Sequence, residues 1–178
     1  MRWEVLLCVV LGAIIGTIPP TRAATDWTVH LRGAGPVRVG MSVADVRRVL
    51  GDSHARLDGN DPEVPLAECA YLRSHAIPNG LGLMFAEGRV VRIDVYEAGI
   101  RTASGVGVGD TEDRVKQLYP GRITVEPHHY DPQGHYLVYS PADTTEREYG
   151  MVFETDGRKV TSFRVGTLAA IALVEGCS

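Results

Sequence analysis

The chain has 178 residues, 44% of them hydrophobic and 22% charged, with a formal net charge of −4. No cluster of Lys or Arg occurs along it, which argues against a nucleic-acid partner, whose binding rests on neutralising phosphates. Its 3 cysteines stand far apart, and none has a second ligand at zinc-site spacing.

The first residues, Met1-Arg2-Trp3-Glu4, precede an apolar run from Val5 to Ile18 and small residues at Ala23 and Ala24. These are the three parts of a secretory signal peptide, expected to span 1–23. A run of roughly 14 apolar residues falls short of the roughly 20 that cross a bilayer, and no second run of that length follows. The processed chain is therefore expected in the periplasm or outside the cell, with no stable membrane insertion. A retained signal anchor is the alternative, because Glu4 weakens the basic start. Cys8 lies inside the apolar run, away from any lipidation position. Removal near Ala23 leaves roughly 155 residues, enough for one compact domain with its own core.

Cys69 and Cys177 remain after processing. An even cysteine count in an exported chain predicts a disulfide between them, closing a loop of about 108 residues. Two free thiols, or a link between chains, are the alternatives.

Along the chain, a leading strand is expected at Trp27 to Leu31, and a short helix at about 42–50. Ser42 is placed to cap that helix, Asp45 lies in its first turn, Val43, Val46, Val49 and Leu50 form its apolar face, and Gly51 stops it. The stretch Ala67 to Arg73 reads as a strand. Gly82 to Val95 reads as a hairpin turning at Glu87-Gly88, within about 81–96.

The pattern then recurs after a loose Gly- and Ala-containing connection between Ala98 and Gly107. Val108, Gly109, Thr111, Val115 and Leu118 match Val39, Gly40, Ser42, Val46 and Val49. Thr111 is the second cap, Glu112 and Asp113 the acidic first turn, and Val115, Leu118 and Tyr119 the apolar face of a helix at about 111–119 that Pro120-Gly121 ends. Hairpins follow at about 123–140 and 150–165, the latter turning at Asp156-Gly157. The apolar run from Leu168 to Val174 reads as a last strand held by the bridge to Cys69. The expected fold is α+β: a first repeat at 24–100 and a second at 101–178, each a helix with an antiparallel sheet, joined in one domain.

The signature Gly-Met-Ser-x-x-x-Val-x-x-x-Leu-Gly, from Gly40 to Gly51 and echoed from Gly109 to Gly121, resembles the motif that opens the outer-membrane assembly lipoproteins of the SmpA/OmlA type. Two tandem copies in an exported chain are also similar to the two-repeat β-lactamase inhibitor proteins. The resemblance implies a non-enzymatic binding role, as an inhibitor or assembly factor, with an envelope or extracellular protein as partner and a glycan as the alternative. The chain has no lipid-bearing Cys of the first family, and no functional residue carries over.

The densest polar and aromatic stretch, Pro127 to Tyr136, belongs to the second copy alone. Asp131-Pro132-Gln133-Gly134 fits a turn with Pro at its second position and Gly at its last. Flanking strands would pair Tyr130 with His135 and His129 with Tyr136. His128, Tyr130, Asp131, His135 and Tyr136 are the candidate binding residues. One competing reading is an aromatic hairpin whose Tyr and His rings are partly packed and partly exposed; another is a small metal-dependent or acid/base hydrolase using His128, Asp131 and His135. No nucleophile motif supports it, and neither a catalytic residue, a metal nor a cofactor is assigned. Asp58 to Glu63 lacks the ligand spacing of a calcium loop, and Gly105 to Asp110 lacks the Lys-Ser/Thr of a phosphate loop.

Overall fold

The computed structural model describes residues 26–58 and 68–177. The expected leader at 1–23 and the stretch from Gly59 to Glu63 lie outside the described residues.

Three two-residue strands, β1 (Val29–His30), β2 (Gly33–Ala34) and β3 (Val37–Arg38), form a small antiparallel sheet of their own. The expected leading strand is therefore β1, and it pairs with β2 instead of joining the main sheet.

Helix α1 (Val43–Leu50) begins as its composition dictates. The Ser42 hydroxyl accepts from Asp45 N–H at 3.2 Å, and the Asp45 carboxylate accepts from Ser42 N–H at 3.1 Å. This reciprocal box satisfies two backbone donors that a helix start leaves unpaired. Gly51, at φ 66°, ends it in the left-handed region. Val46 and Leu50 are buried, whereas Val49, expected on the apolar face, faces solvent.

Strands β4 (Arg56–Asp58), β5 (Ala70–Arg73), β6 (Leu81–Ala86) and β7 (Arg89–Val95) follow, then helix α2 (Glu112–Leu118), capped by Thr111. After it come β8 (Ile123–Pro127), β9 (His135–Tyr139), a single 3-10 turn at Thr144–Glu146, β10 (Tyr149–Thr155) and β11 (Val160–Thr167). The β6–β7 turn places Glu87 at φ 50° and Gly88 at φ 70°, a two-residue turn whose twist matches that of the strands it joins.

All eight strands β4 to β11 form one antiparallel sheet in the order β4-β5-β6-β7-β11-β10-β9-β8. Each helix start is stitched to the second strand of the hairpin that follows it. Gly40 N–H donates to Val90 O at 2.8 Å and Val90 N–H to Met41 O at 2.9 Å; Gly109 N–H donates to Val160 O at 2.8 Å and Val160 N–H to Asp110 O at 2.9 Å.

Alternation along the strands gives the sheet two different faces. Phe85, Ile93, Leu137, Phe153, Phe163 and Val165 point to the helices and make one core with Val46, Leu50, Val115 and Tyr119. Arg92, Asp94, Val152, Glu154, Arg164 and Tyr136 alternate with them on the outer face.

The expected last strand is instead helix α3 (Leu168–Ile171), followed by an irregular tail to Cys177. β11 already has β7 and β10 as neighbours, so a chain leaving it cannot add a strand beside it. It turns across the outer face, capped by Thr167, whose hydroxyl accepts from Ala170 N–H. Gly150 makes that crossing sterically feasible, since a Cβ there would fall 2.7 Å from Ile171 Cδ1.

Cys69 and Cys177 form a disulfide with Cα atoms 5.3 Å apart, tying the end of this strap to the start of β5. Such a bridge points to an oxidising, extracytoplasmic environment. Among the described residues, no helix is long and apolar enough to cross a membrane.

Because the bridge spans 108 positions, replacing both cysteines with Ala is expected to lower unfolding free energy by about 4 kcal/mol in the chain-entropy account. Urea titration of oxidised protein and variant measures this; equal midpoints would show that the loop constraint adds nothing.

Candidate functional site

The strap and the β8–β9 connection approach each other over the outer face. The Asp131–Gly134 turn forms as its sequence predicts, with Gly134 N–H donating to Asp131 O at 3.0 Å and Gln133 N–H to the Asp131 carboxylate at 2.9 Å. The strand register differs from expectation. His135 lies opposite Pro127 and Tyr136 opposite Glu126, so Tyr130 and His129 belong to the loop.

The reason is the His128 ring. Its Nδ1 accepts from the backbone N–H groups of Tyr130, at 3.1 Å, and Asp131, at 3.0 Å. That caps three further residues into the loop. With Nδ1 an acceptor twice over, the ring proton sits on Nε2 and is donated to Glu154 Oε1 at 2.9 Å.

From Glu154 the network continues across the sheet. Glu154 Oε2 accepts from Arg164 at 3.1 Å, and Arg164 Nε donates to Ile171 O at 2.7 Å, at the end of α3. Tyr136 lies beneath this bridge, its ring stacked on His128 at 4.6 Å between centroids and covered by the Arg164 guanidinium at 5.5 Å. Tyr130 remains 63% exposed, and its hydroxyl donates to Glu175 in the strap. Four of the five candidate residues thus gather at one end of the outer face, Asp131 serving there as the turn former.

His135 is apart from them. Its Nδ1 meets Glu112 Oε1 at 2.8 Å, at the first turn of α2, and Thr155 donates to the same oxygen at 2.6 Å. Burial pushes the Glu112 carboxyl up, but the hydrogen bonds from Thr155 and His135 outweigh it and hold it below the ordinary glutamate range. The trio His128, Asp131 and His135 is therefore split between the two sides of the sheet. Among the described residues, no three His, Cys, Asp or Glu side chains gather as a metal site would require.

Two grooves flank the strap. One, of about 440 Å³, runs between the β8–β9 hairpin and α3, with Tyr136, Val138, Val152, Leu168, Ile171 and Val174 supplying its apolar walls. The other, of about 450 Å³, is polar and lies between the strap and Tyr71, Tyr96 and Ser162. Both are lined by Arg164 and Val174, so they border the same crossing.

Beneath that crossing lie Arg92 and Asp94, each 3% exposed. Arg92 Nε pairs with the Asp94 carboxylate at 2.9 Å, Nη1 donates to Ala170 O at 3.0 Å and also reaches Leu173 O, and Nη2 meets the Tyr71 hydroxyl at 3.3 Å. Burial pushes the Asp94 carboxyl up against the pull of Arg92, and it also pushes up the Tyr71 phenol. Arg92, Asp94, Glu154 and Arg164 carry no local sequence signal of this role. Charged residues alternating with apolar ones mark a sheet's solvent face; nothing local to those strands indicates that a later segment covers them.

Fold and site define an α+β protein with one wide antiparallel sheet, α1 and α2 on one face and a disulfide-tied strap containing α3 on the other. No family model matches the chain, and no curated protein matches it. Its structure is similar to that of the uncharacterized protein yfeY from Escherichia coli, at 14% identity and a TM-score of 0.41, over 78% of this chain and 99% of that one. A likeness of that degree carries no functional argument.

Two outcomes follow from the charges. Asp94→Ala leaves Arg92 buried without its counter-ion, and denaturant unfolding should register a loss of about 3–5 kcal/mol; a loss below about 1 kcal/mol would mean the pair is effectively hydrated. Glu112 has a depressed folded-state value, so its stabilisation is complete above the unfolded glutamate range and disappears as pH falls through the lower folded value. Between about pH 5 and pH 3 the native chain should therefore lose more stability than Glu112→Gln, and parallel pH profiles would contradict the assignment.

Proposed function

We propose that this chain is an exported, non-enzymatic binding protein of the bacterial envelope, an inhibitor or assembly factor that seats an apolar segment of a protein partner between the β8–β9 hairpin and the strap. The observation that carries this reading is the apolar groove of about 440 Å³, walled by Tyr136, Val138, Val152, Leu168, Ile171 and Val174. Its walls are held from both ends: the hairpin loop through His128 and Glu154, the strap through Arg164 and the disulfide. A site already in its bound shape loses little ordering entropy on association. The His128 ring, engaged at both nitrogens, acts as a structural clamp.

The disulfide supports export through the expected leader. The duplication read from the sequence is part of the same proposal. The matching stitches at Gly40 and Gly109, the matching caps at Ser42 and Thr111, and the strand order, which runs β4 to β7 inward from one edge and β8 to β11 inward from the other, are what two copies joined back to back would produce. The second copy then differs from the first by its His/Tyr loop and its strap, and the groove lies between those two additions.

Leu168 is a groove residue that is half exposed in the free protein, so Leu168→Asp alters the groove with little cost to the fold. Immobilised mature protein should retain one dominant partner from envelope extract, and Leu168→Asp should weaken that complex about tenfold or more, as loss of a central apolar contact does. Nothing above background would remove the binding function, and equal retention by the variant would remove the groove from it.

A further inference from the structure

Strand β8 is an edge of the main sheet; among the described residues it pairs with β9 alone. His128 N–H donates to Gly134 O, and Ser140 N–H donates to Arg122 O. Alternation along an antiparallel strand therefore turns the even-numbered backbone groups of β8 toward β9 and the odd-numbered ones outward. The open edge presents the N–H and C=O of Ile123 and Val125, and then Pro127, which has no N–H. Thr124, Val125 and Glu126 are exposed, Val125 at 45%.

We propose that this edge pairs with β8 of a second copy, antiparallel about a two-fold axis at Thr124, so that two sheets become one. Register decides between the self-pairings this strand permits. Centred on Glu126, two carboxylates would face each other. Centred on Val125, Ile123 would lie opposite Pro127 of the other copy, and two ladder bonds would lack a donor. Centred on Thr124, Ile123 and Val125 of each copy exchange four N–H···O=C bonds with none missing. Thr124 then faces its own counterpart, a favourable cross-strand pair, and Arg122 faces Glu126 of the second copy on both sides of it. Ile123 and Val125 form an apolar row on the helix side, while the charges lie on the outer side.

A pairing this short buries less than the roughly 1,000 Å² of a stable interface, so association is weak and is read at about 0.1–1 mM chain. This edge shares Glu126 and Pro127 with the margin of the groove, but the test uses the purified protein alone, so it stands or falls independently of any partner. Sedimentation equilibrium should show a monomer–dimer equilibrium. Val125→Pro removes an outward donor while leaving the bonds to β9 intact, and it should abolish the dimer. Glu126→Arg should weaken the dimer about tenfold, and Arg122→Glu added to it should restore the dimer. If Val125→Pro does not fold, Thr124→Cys replaces it: this residue faces itself at a spacing a disulfide accepts, so mild oxidation should link two copies, whereas Glu126→Cys should not link. A monomer throughout the range, a dimer indifferent to Val125→Pro, or a charge swap that fails to restore association would overturn the proposal.

Discussion

The pairing of β7 with β11 is the contact on which the rest of the structure depends. Neither half of the sheet, four strands and one short helix, encloses much apolar surface by itself. Set side by side with Phe163 opposite Val95 and Val165 opposite Ile93, they bury a continuous core running from Phe85 through Phe153 to Leu137. The close approach requires Gly166, where a Cβ would meet Val91 O at 2.2 Å and φ is 156°. The same register acts on the other face. It places Arg164 opposite Asp94 and Arg92 two residues away, so closing the core also brings two arginines and a carboxylate together on the outside.

That charged row is what holds the strap. A four-residue helix satisfies few of its own carbonyls, and the last ones need partners from elsewhere. Arg92 supplies them for Ala170 and Leu173, and Arg164 for Ile171. The strap in turn excludes water from Arg92 and Asp94, and this burial pushes the Asp94 carboxyl up even beside a guanidinium. Arg164 and Glu154 extend the same row to His128. The hairpin loop, the strap and the sheet are thereby fixed as one rigid surface, and the grooves on either side of Val174 are consequences of that fixation.

The parts of this fold legible in the sequence are those fixed by neighbouring residues. Ser42 and Thr111 cap helices because a hydroxyl three residues before a free N–H can do little else, and Glu87-Gly88 turns a hairpin because the two residues accept positive φ. The Asp131–Gly134 turn was legible for the same reason. Features decided by distant residues were not. The β8–β9 register depends on His128 folding back onto two backbone donors, which no periodicity encodes. The Leu168–Val174 run has the apolarity of a strand, and it is a helix because β11 is already flanked on both sides. Val49 repeats at helical spacing yet faces solvent, since α1 is too short and narrow in its contact to bury four apolar positions. Arg92 and Asp94 have the alternation of an exposed face and are buried only because a segment some eighty residues later crosses them.

Strand β8 would serve both proposed contacts through a simple division of its groups. Its odd-numbered backbone atoms point along the sheet plane to the open edge, while the even-numbered side chains rise from the outer face. Glu126 and Pro127 stand at the margin of the apolar groove, and Pro127 also ends the edge by withholding a donor. Occupation of the groove and extension of the sheet therefore draw on different atoms of the same five residues. In a pair of copies joined at Thr124, both outer faces lie on the same side of the combined sheet, and the two grooves open side by side. A partner carrying two apolar segments would then meet both at once. The second contact would be made at the effective concentration set by the spacer between them, so the groove contacts and the weak dimer would reinforce one another.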